Sequence, residues 1–227
     1  MSDIRPAATV VLLRDAPDGL HVLLLRRNST LGFAAGQWVF PGGRVDDAEI
    51  AATPDAISAA RLAAARETQE EAQISIDSSD ELVFHSHWTT PPVMPKRYAT
   101  WFFVCRAPAE DTVTVDGGEI DDHLWVRPAE AIERLRREEI EMLPPTFVTL
   151  TELAACNTVA EALERAARRE VPVFEPHFVM RKGQPTVSIY TGDAGYETSD
   201  PDMPGRRHRM VMARGDWQYL NDGVIPW

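Results

Sequence analysis

AAARETQEEAQI, residues 63–74, is the stretch on which the reading of the chain turns. At 100° per residue, Glu67, Glu70 and Glu71 fall within a wedge of about 100°, so three carboxylates project from one side of a helix near its end. A helix C-terminus is already the negative end of the macrodipole, and like charges at i,i+4 oppose one another by roughly 0.2–0.5 kcal/mol. Arg66 offsets one charge of the three. Clustered oxygen donors of this kind suit a hard divalent cation such as Mg²⁺, which takes carboxylates together with waters and substrate phosphates. The competing reading is a solvated acidic face.

Working outward, TPDAISAARLAAARETQEEA reads as one helix with Thr53 as its cap, Pro54 at the first helical position and Asp55 in the first turn. Upstream, PAATVVLLRD and LHVLLLRRN are β-rich runs joined by the hairpin turn DAPDGL, and GQWVFPGGRV is a short strand ending in a glycine pair. Downstream, ELVFHSHWTTPP and RYATWFFVCRA are strand-like, and TVTVDGGEIDDHLWVRP reads as strand, turn and short strand. AEAIERLRREEI is an amphipathic helix stopped by Pro144-Pro145, and two more helices are expected over residues 146–155 and 158–169. The remainder, with HFVMRKGQPTVSIY and RRHRMVMARGDWQYL, is β-rich but irregular. The pattern is α+β, divided as residues 1–170 and a C-terminal extension, 171–227, that covers the site or pairs two copies as a homodimer.

The 227 residues carry 23 basic and 35 acidic side chains, a formal net charge of −12, which argues against a nucleic-acid partner but not against a small anionic ligand. No apolar run reaches membrane-spanning length, and the first residues lack the apolar core of a secretory leader, so a cytoplasmic, membrane-free protein is expected. Cys105 and Cys156 fit buried thiols in a reducing compartment.

FPGG (residues 40–43) followed by a helix bearing RETQEEAQI closely resembles the Nudix hydrolase signature, G-x5-E-x7-R-E-U-x-E-E-x-G-U, where U is bulky and apolar. The chain departs from it in three ways. The stretch from Gly43 to Arg66 is about nine residues longer than the signature. Counted back from Arg66, the first box glutamate falls on Ser58. Gln73 stands at the box glycine and Thr68 at a bulky apolar position.

The resemblance implies an α/β/α sandwich with a mixed central sheet and Mg²⁺- or Mn²⁺-dependent hydrolysis of a small-molecule diphosphate. On these positions it implies that Glu67 and Glu71 ligate metal, that Glu70 is a ligand or the base, and that the Gly42 carbonyl completes the shell. Arg66 orients a glutamate. Glu119, six residues before Trp125, is a downstream acid.

LLLRRNSTLGFAAGQWVFPGG (residues 23–43) is similar to the pattern preceding the box in coenzyme A diphosphatases, L-L-T-x-R-S-x3-R-x3-G-x3-F-P-G-G. Leu23, Leu24, Arg27, Gly36 and residues 40–43 match, while Asn28 and Gly32 replace Ser and Arg. The widened box and the helices after LPPT also resemble the mammalian peroxisomal acyl-coenzyme A diphosphatase subgroup. The resemblance therefore implies hydrolysis of coenzyme A or acyl-coenzyme A, with Arg26, Arg27 and Gly43 as candidate substrate contacts; the loop PPVMPKRYAT adds Arg97 as a candidate phosphate contact. The alternatives are an ADP-ribose, NADH or nucleotide-sugar pyrophosphatase, or a binding module without turnover. His85 and His87, at alternating spacing, are expected on one side of a strand. Lys96 and the basic RRHRM segment are solvated surface, or phosphate or subunit contacts.

Overall fold

The computed structural model describes residues 4–30, 34–76, 81–109 and 112–227. The first hairpin forms as the sequence predicts. β1 (Ile4–Ala16) and β2 (Gly19–Arg27) meet antiparallel, with Ala16 opposite Gly19. They pair only over residues 13–16 and 19–22 and then diverge. The predicted single strand through FPGG is two short ones that bridge the gap: β3 (Trp38–Val39) on β2 and β4 (Gly42–Arg44) on β1. β5 (Val83–Thr89) and β6 (Arg97–Arg106) extend the sheet, β6 running parallel to β1, so the sheet is mixed. β7 (Ile120–Val126) closes on β2.

Side chains alternate across this sheet. Ala8, Val10, Leu12, Leu23 and Leu25 point to one face, where they pack with Ala59, Ala60, Ala63 and Ala64 of α2 (Ala56–Ala72). Alanines at these positions let the helix lie close to the strands. Val11, Leu13, Val22 and Leu24 point to the other face, covered by α3 (Pro128–Arg136), α4 (Pro144–Leu153) and α5 (Val159–Arg168). The sandwich implied by the resemblance is thus the observed α+β architecture.

Four local expectations are corrected. The long box loop contains its own helix, α1 (Asp47–Ala52), opened by a capping box between Asp46 and Glu49. Thr53 closes α1 instead of opening α2, and Asp55 caps α2 through the Ser58 N–H at 2.9 Å. Residues 112–116 form no strand; the Thr114 N–H is taken by the Ala72 carbonyl at the end of α2, at 3.0 Å, instead of by a neighbouring strand. α3 ends before Glu138, which turns left-handed at φ 58°, and Pro144-Pro145 starts α4, where a missing N–H is no loss.

The histidines part company. A bulge between Phe84 and Ser86 breaks the alternation of β5. His85 joins a buried group with Glu152 (3.1 Å), Arg169 and Trp227, while the His87 ring packs on Trp101 at 5.0 Å in the cluster beneath α2.

After β8 (Val173–Phe174), which adds to β5, the C-terminal stretch is more regular than its composition suggests. β9 (His177–Val179), β10 (Thr186–Ile189), β11 (His208–Ala213) and β12 (Asp216–Asn221) form an antiparallel sheet in the order β12-β11-β10-β9. Tyr190, Met210 and Ile225 share the core formed with α4 and α5. RRHRM is spent on this packing: Arg209 forks onto buried Asp193 at 2.7 and 2.5 Å, and Arg206 and Arg207 donate to backbone carbonyls.

Candidate active site

The site lies where β1 and β2 diverge. Gly42 and Gly43 stand there because no other residue fits. A Cβ on Gly42 would come within 2.2 Å of Thr9 Oγ1, and one on Gly43 within 2.3 Å of Glu67 Oε1. The close approach at Gly42 carries its N–H to Glu71 Oε2, at 2.9 Å.

Glu71 is 5% exposed. Burial, with lesser contributions from the charges of Glu67 and Glu119, raises its pKa to about 8 against the opposing pull of the Gly42 N–H and Arg27. Glu67 is raised for the same first reason, burial, with Glu70 and Glu119 adding and Arg66 opposing. Arg27 Nη1 lies 3.8 Å from Glu71, and its Nη2 lies 3.2 Å from Glu119. Glu119 is fixed by its turn: its N–H donates to Asp116, and its carbonyl accepts the Asn28 N–H at 2.8 Å.

Arg66 organises the acids. Nη1 donates to Glu67 Oε1 (2.9 Å) and Glu70 Oε2 (3.0 Å), Nη2 to the Arg44 carbonyl (2.9 Å), and Nε to Glu49 Oε1 (2.8 Å). Glu49 is the residue that the sequence reading missed. Counting forward from Gly43 in the same signature lands on Glu49, so the insertion follows this glutamate and does not displace it to Ser58. Ser58 is occupied with Asp55 at the cap of α2. Gln73 stands in the left-handed conformation, φ 57°, that a glycine adopts readily. Thr68, buried, bonds back to the Ala64 carbonyl at 2.7 Å.

Gly42, Gly43, Glu67, Arg27 and Glu119 all line one cleft of about 1510 Å³. Arg66 joins Glu70 to this group and the Gly42 N–H joins Glu71. Arg26, one position off on β2, is instead held by Asp121 at 2.6 Å, and Arg97 Nε donates to the Thr90 carbonyl at 3.0 Å; neither lines the cleft. Gly32 lies outside the described residues.

The donor set fits a hard divalent cation. All its members are carboxylate oxygens or backbone carbonyls, and burial, with a lesser contribution from their neighbours' charges, raises the pKa of Glu67 and Glu71, a shift that a bound cation would oppose. Among the described residues no three such side chains already stand as a ligand set, since one Arg66 Nη1 sits between Glu67 and Glu70.

Comparison with known proteins agrees with this geometry. The NUDIX domain profile matches residues 3–145. A putative nudix hydrolase 7 of Caenorhabditis elegans is 26% identical over 187 residues, covering 67% of this chain and 61% of that protein. The acyl-coenzyme A diphosphatase NUDT19 of Xenopus laevis is 35% identical over 72 residues, 30% of this chain and 19% of its own. The chain thus spans less than two thirds of the curated relatives it matches. The NUDIX hydrolase structure from Alicyclobacillus acidocaldarius superposes with a TM-score of 0.65 at 26% identity, covering 72% of this chain and 97% of that one. A profile match through most of the mixed sheet and over the whole carboxylate site identifies the chain as a member of the Nudix hydrolase family.

Proposed function

We propose that the protein hydrolyses the diphosphate of coenzyme A or an acyl-coenzyme A, giving 3′,5′-ADP and phosphopantetheine or its acyl form. The observation that carries the chemistry is that Glu67, Glu119 and Arg27 line a single large cleft, with Glu71 3.8 Å from Arg27. The matched residues Leu23, Leu24, Arg27, Gly36 and 40–43 favour coenzyme A, as does the similarity to acyl-coenzyme A diphosphatases of Xenopus laevis and Gallus gallus.

Glu67 and Glu71, with the Gly42 carbonyl, would hold Mg²⁺ or Mn²⁺, which when bound neutralises diphosphate oxygens and acidifies water. The chain's own residues do the rest. Arg27 places a guanidinium against the diphosphate. Arg66 fixes the carboxylates of Glu67 and Glu70 in orientation, itself fixed by Glu49 and the Arg44 carbonyl. Glu70, the most exposed of the three box acids, accepts the proton of the attacking water. Glu119 supplies a further carboxylate from the 116–120 turn. Arg26 and Arg97 have no part in this reading. The net charge of −12 and two buried free thiols support a small-molecule substrate in a reducing compartment such as the cytosol.

Side-by-side assays with Mg²⁺ on coenzyme A, acyl-coenzyme A, ADP-ribose, NADH and dinucleoside polyphosphates test the reading. Release of 3′,5′-ADP from the coenzyme A compounds supports it, and turnover of ADP-ribose alone would overturn it. Glu71→Gln should abolish most metal-dependent turnover in a protein that still folds.

A further inference from the structure

The cleft has two kinds of wall. The residues matched by the NUDIX profile give it Glu67, Glu119 and Arg27. Chain that follows the match gives it Phe178, Met180, Met212 and Trp217, of the C-terminal sheet and its connections. Met94 and Ile140 line it from other segments.

Apolar exposure is concentrated here. Among the described residues seven large apolar side chains are exposed, and three of them, Val93 (63%), Met94 and Met180 (69%), line this one cleft. Exposed apolar surface gathered in a concavity marks a binding surface, whereas scattered residues do not. Four of the chain's seven methionines, at 94, 142, 180 and 212, are in the lining, and their unbranched thioethers adapt to ligands of varying shape.

The C-terminal sheet and its connections offer few polar side chains to this space. Thr186 is one; Arg214 is another, but it is held by both carboxylate oxygens of Glu138 at 2.6 and 2.9 Å. A nucleobase needs partners for the donors and acceptors along its edge, whereas a hydrocarbon chain needs none.

We infer that the C-terminal sheet forms an acyl subsite, in which Met180, Met212, Phe178 and Trp217 take the hydrocarbon chain of an acyl thioester whose diphosphate lies against Glu67 and Arg27. This rests on the coenzyme A diphosphatase reading and adds to it a preference for long acyl chains over the free thiol. The extension is then the specificity element of the enzyme.

The test uses the whole chain with Mg²⁺ and follows 3′,5′-ADP released from coenzyme A and from its acetyl, octanoyl and dodecanoyl thioesters. In the unaltered protein, kcat/KM should rise at least about tenfold from acetyl to dodecanoyl, as further methylenes are buried. Met180→Glu and Met94→Glu, both at exposed positions on separate segments, should each lower the dodecanoyl-to-acetyl ratio at least about fivefold by placing a charge beside the chain. Calorimetry on metal-free protein should show dodecanoyl-coenzyme A binding more tightly than coenzyme A, with the difference reduced in both variants. A rate independent of chain length, or a ratio unmoved in both variants, overturns the acyl subsite and leaves the diphosphatase reading standing. Cleavage of ADP-ribose or NADH with no cleavage of any coenzyme A compound overturns the underlying reading itself.

Discussion

Arg66 Nε donates to Glu49 Oε1 at 2.8 Å, joining the two halves of a signature that the insertion after Glu49 holds apart in sequence. Because the same guanidinium holds Glu67 and Glu70, Glu49 is a positioning residue for those two carboxylates. Glu49→Ala should lower kcat/KM by about 10–100-fold and weaken Mg²⁺ binding by a similar factor, as loss of an outer-shell partner does. Kinetics against Mg²⁺ concentration, with circular dichroism to confirm folding, measure it.

Gly43→Ala should be damaging out of proportion to one methyl group. The added carbon would meet Glu67 Oε1 at 2.3 Å, so that carboxylate must swing away. The expected result is at least a tenfold loss of turnover, roughly what displacement of a reacting-site group by about 1 Å produces.

The buried acid makes metal-free stability depend on pH. Glu71 has a folded pKa of about 8, raised from an ordinary 4.5, so the folded state binds the extra proton. Its contribution is fully present below 4.5 and is lost as pH rises through about 8. Glu71→Gln, which mimics the protonated form, removes that loss. The melting temperature of the variant relative to the unaltered protein should therefore climb across this window and level off above it, when both are measured in chelator.

Gln73 pays for its left-handed backbone. Its side chain is exposed and it closes α2 with an N–H to the Gln69 carbonyl at 3.1 Å. Gln73→Gly should stabilise the fold by about 1 kcal/mol, read from urea unfolding.

Glu152 is buried between His85 and Arg169. Glu152→Ala leaves that arginine without its carboxylate and should cost about 3–5 kcal/mol, by the same denaturation measurement.

Much of this was legible in the sequence. The hairpin turn at DAPDGL, the alanine face of α2 and the wedge of Glu67, Glu70 and Glu71 each follow from local rules, which the tertiary fold respects. What was missed depended on relationships that a local pattern does not hold. Glu49 is hidden from a count back from Arg66 because the insertion lies between them; the spacing forward from Gly43 is intact. α1 is a helix of six residues, too short to show a period, and only its capping box announces it. Arg26 and Arg27 read alike as neighbouring cations, although strand parity puts Arg27 with Leu23 and Leu25 on the α2 face, and Arg26 with Leu24 on the other. The β5 bulge, which separates His85 from His87, leaves no mark in a run of alternating residues.

The FPGG segment is tied to the central strand at several points. Val10 N–H donates to the Pro41 carbonyl at 2.9 Å, Val45 N–H to that of Pro6 at 3.1 Å, and Gly42 pairs with Thr9 while β6 braces the far edge of β1. Amides here should exchange with deuterium only when the molecule unfolds globally. The cleft therefore combines a wall tied down at several points, the FPGG segment, with adaptable exposed methionines at 94 and 180. Such a division lets the range of substrates drift over evolutionary time while the hydrolytic machinery stays still.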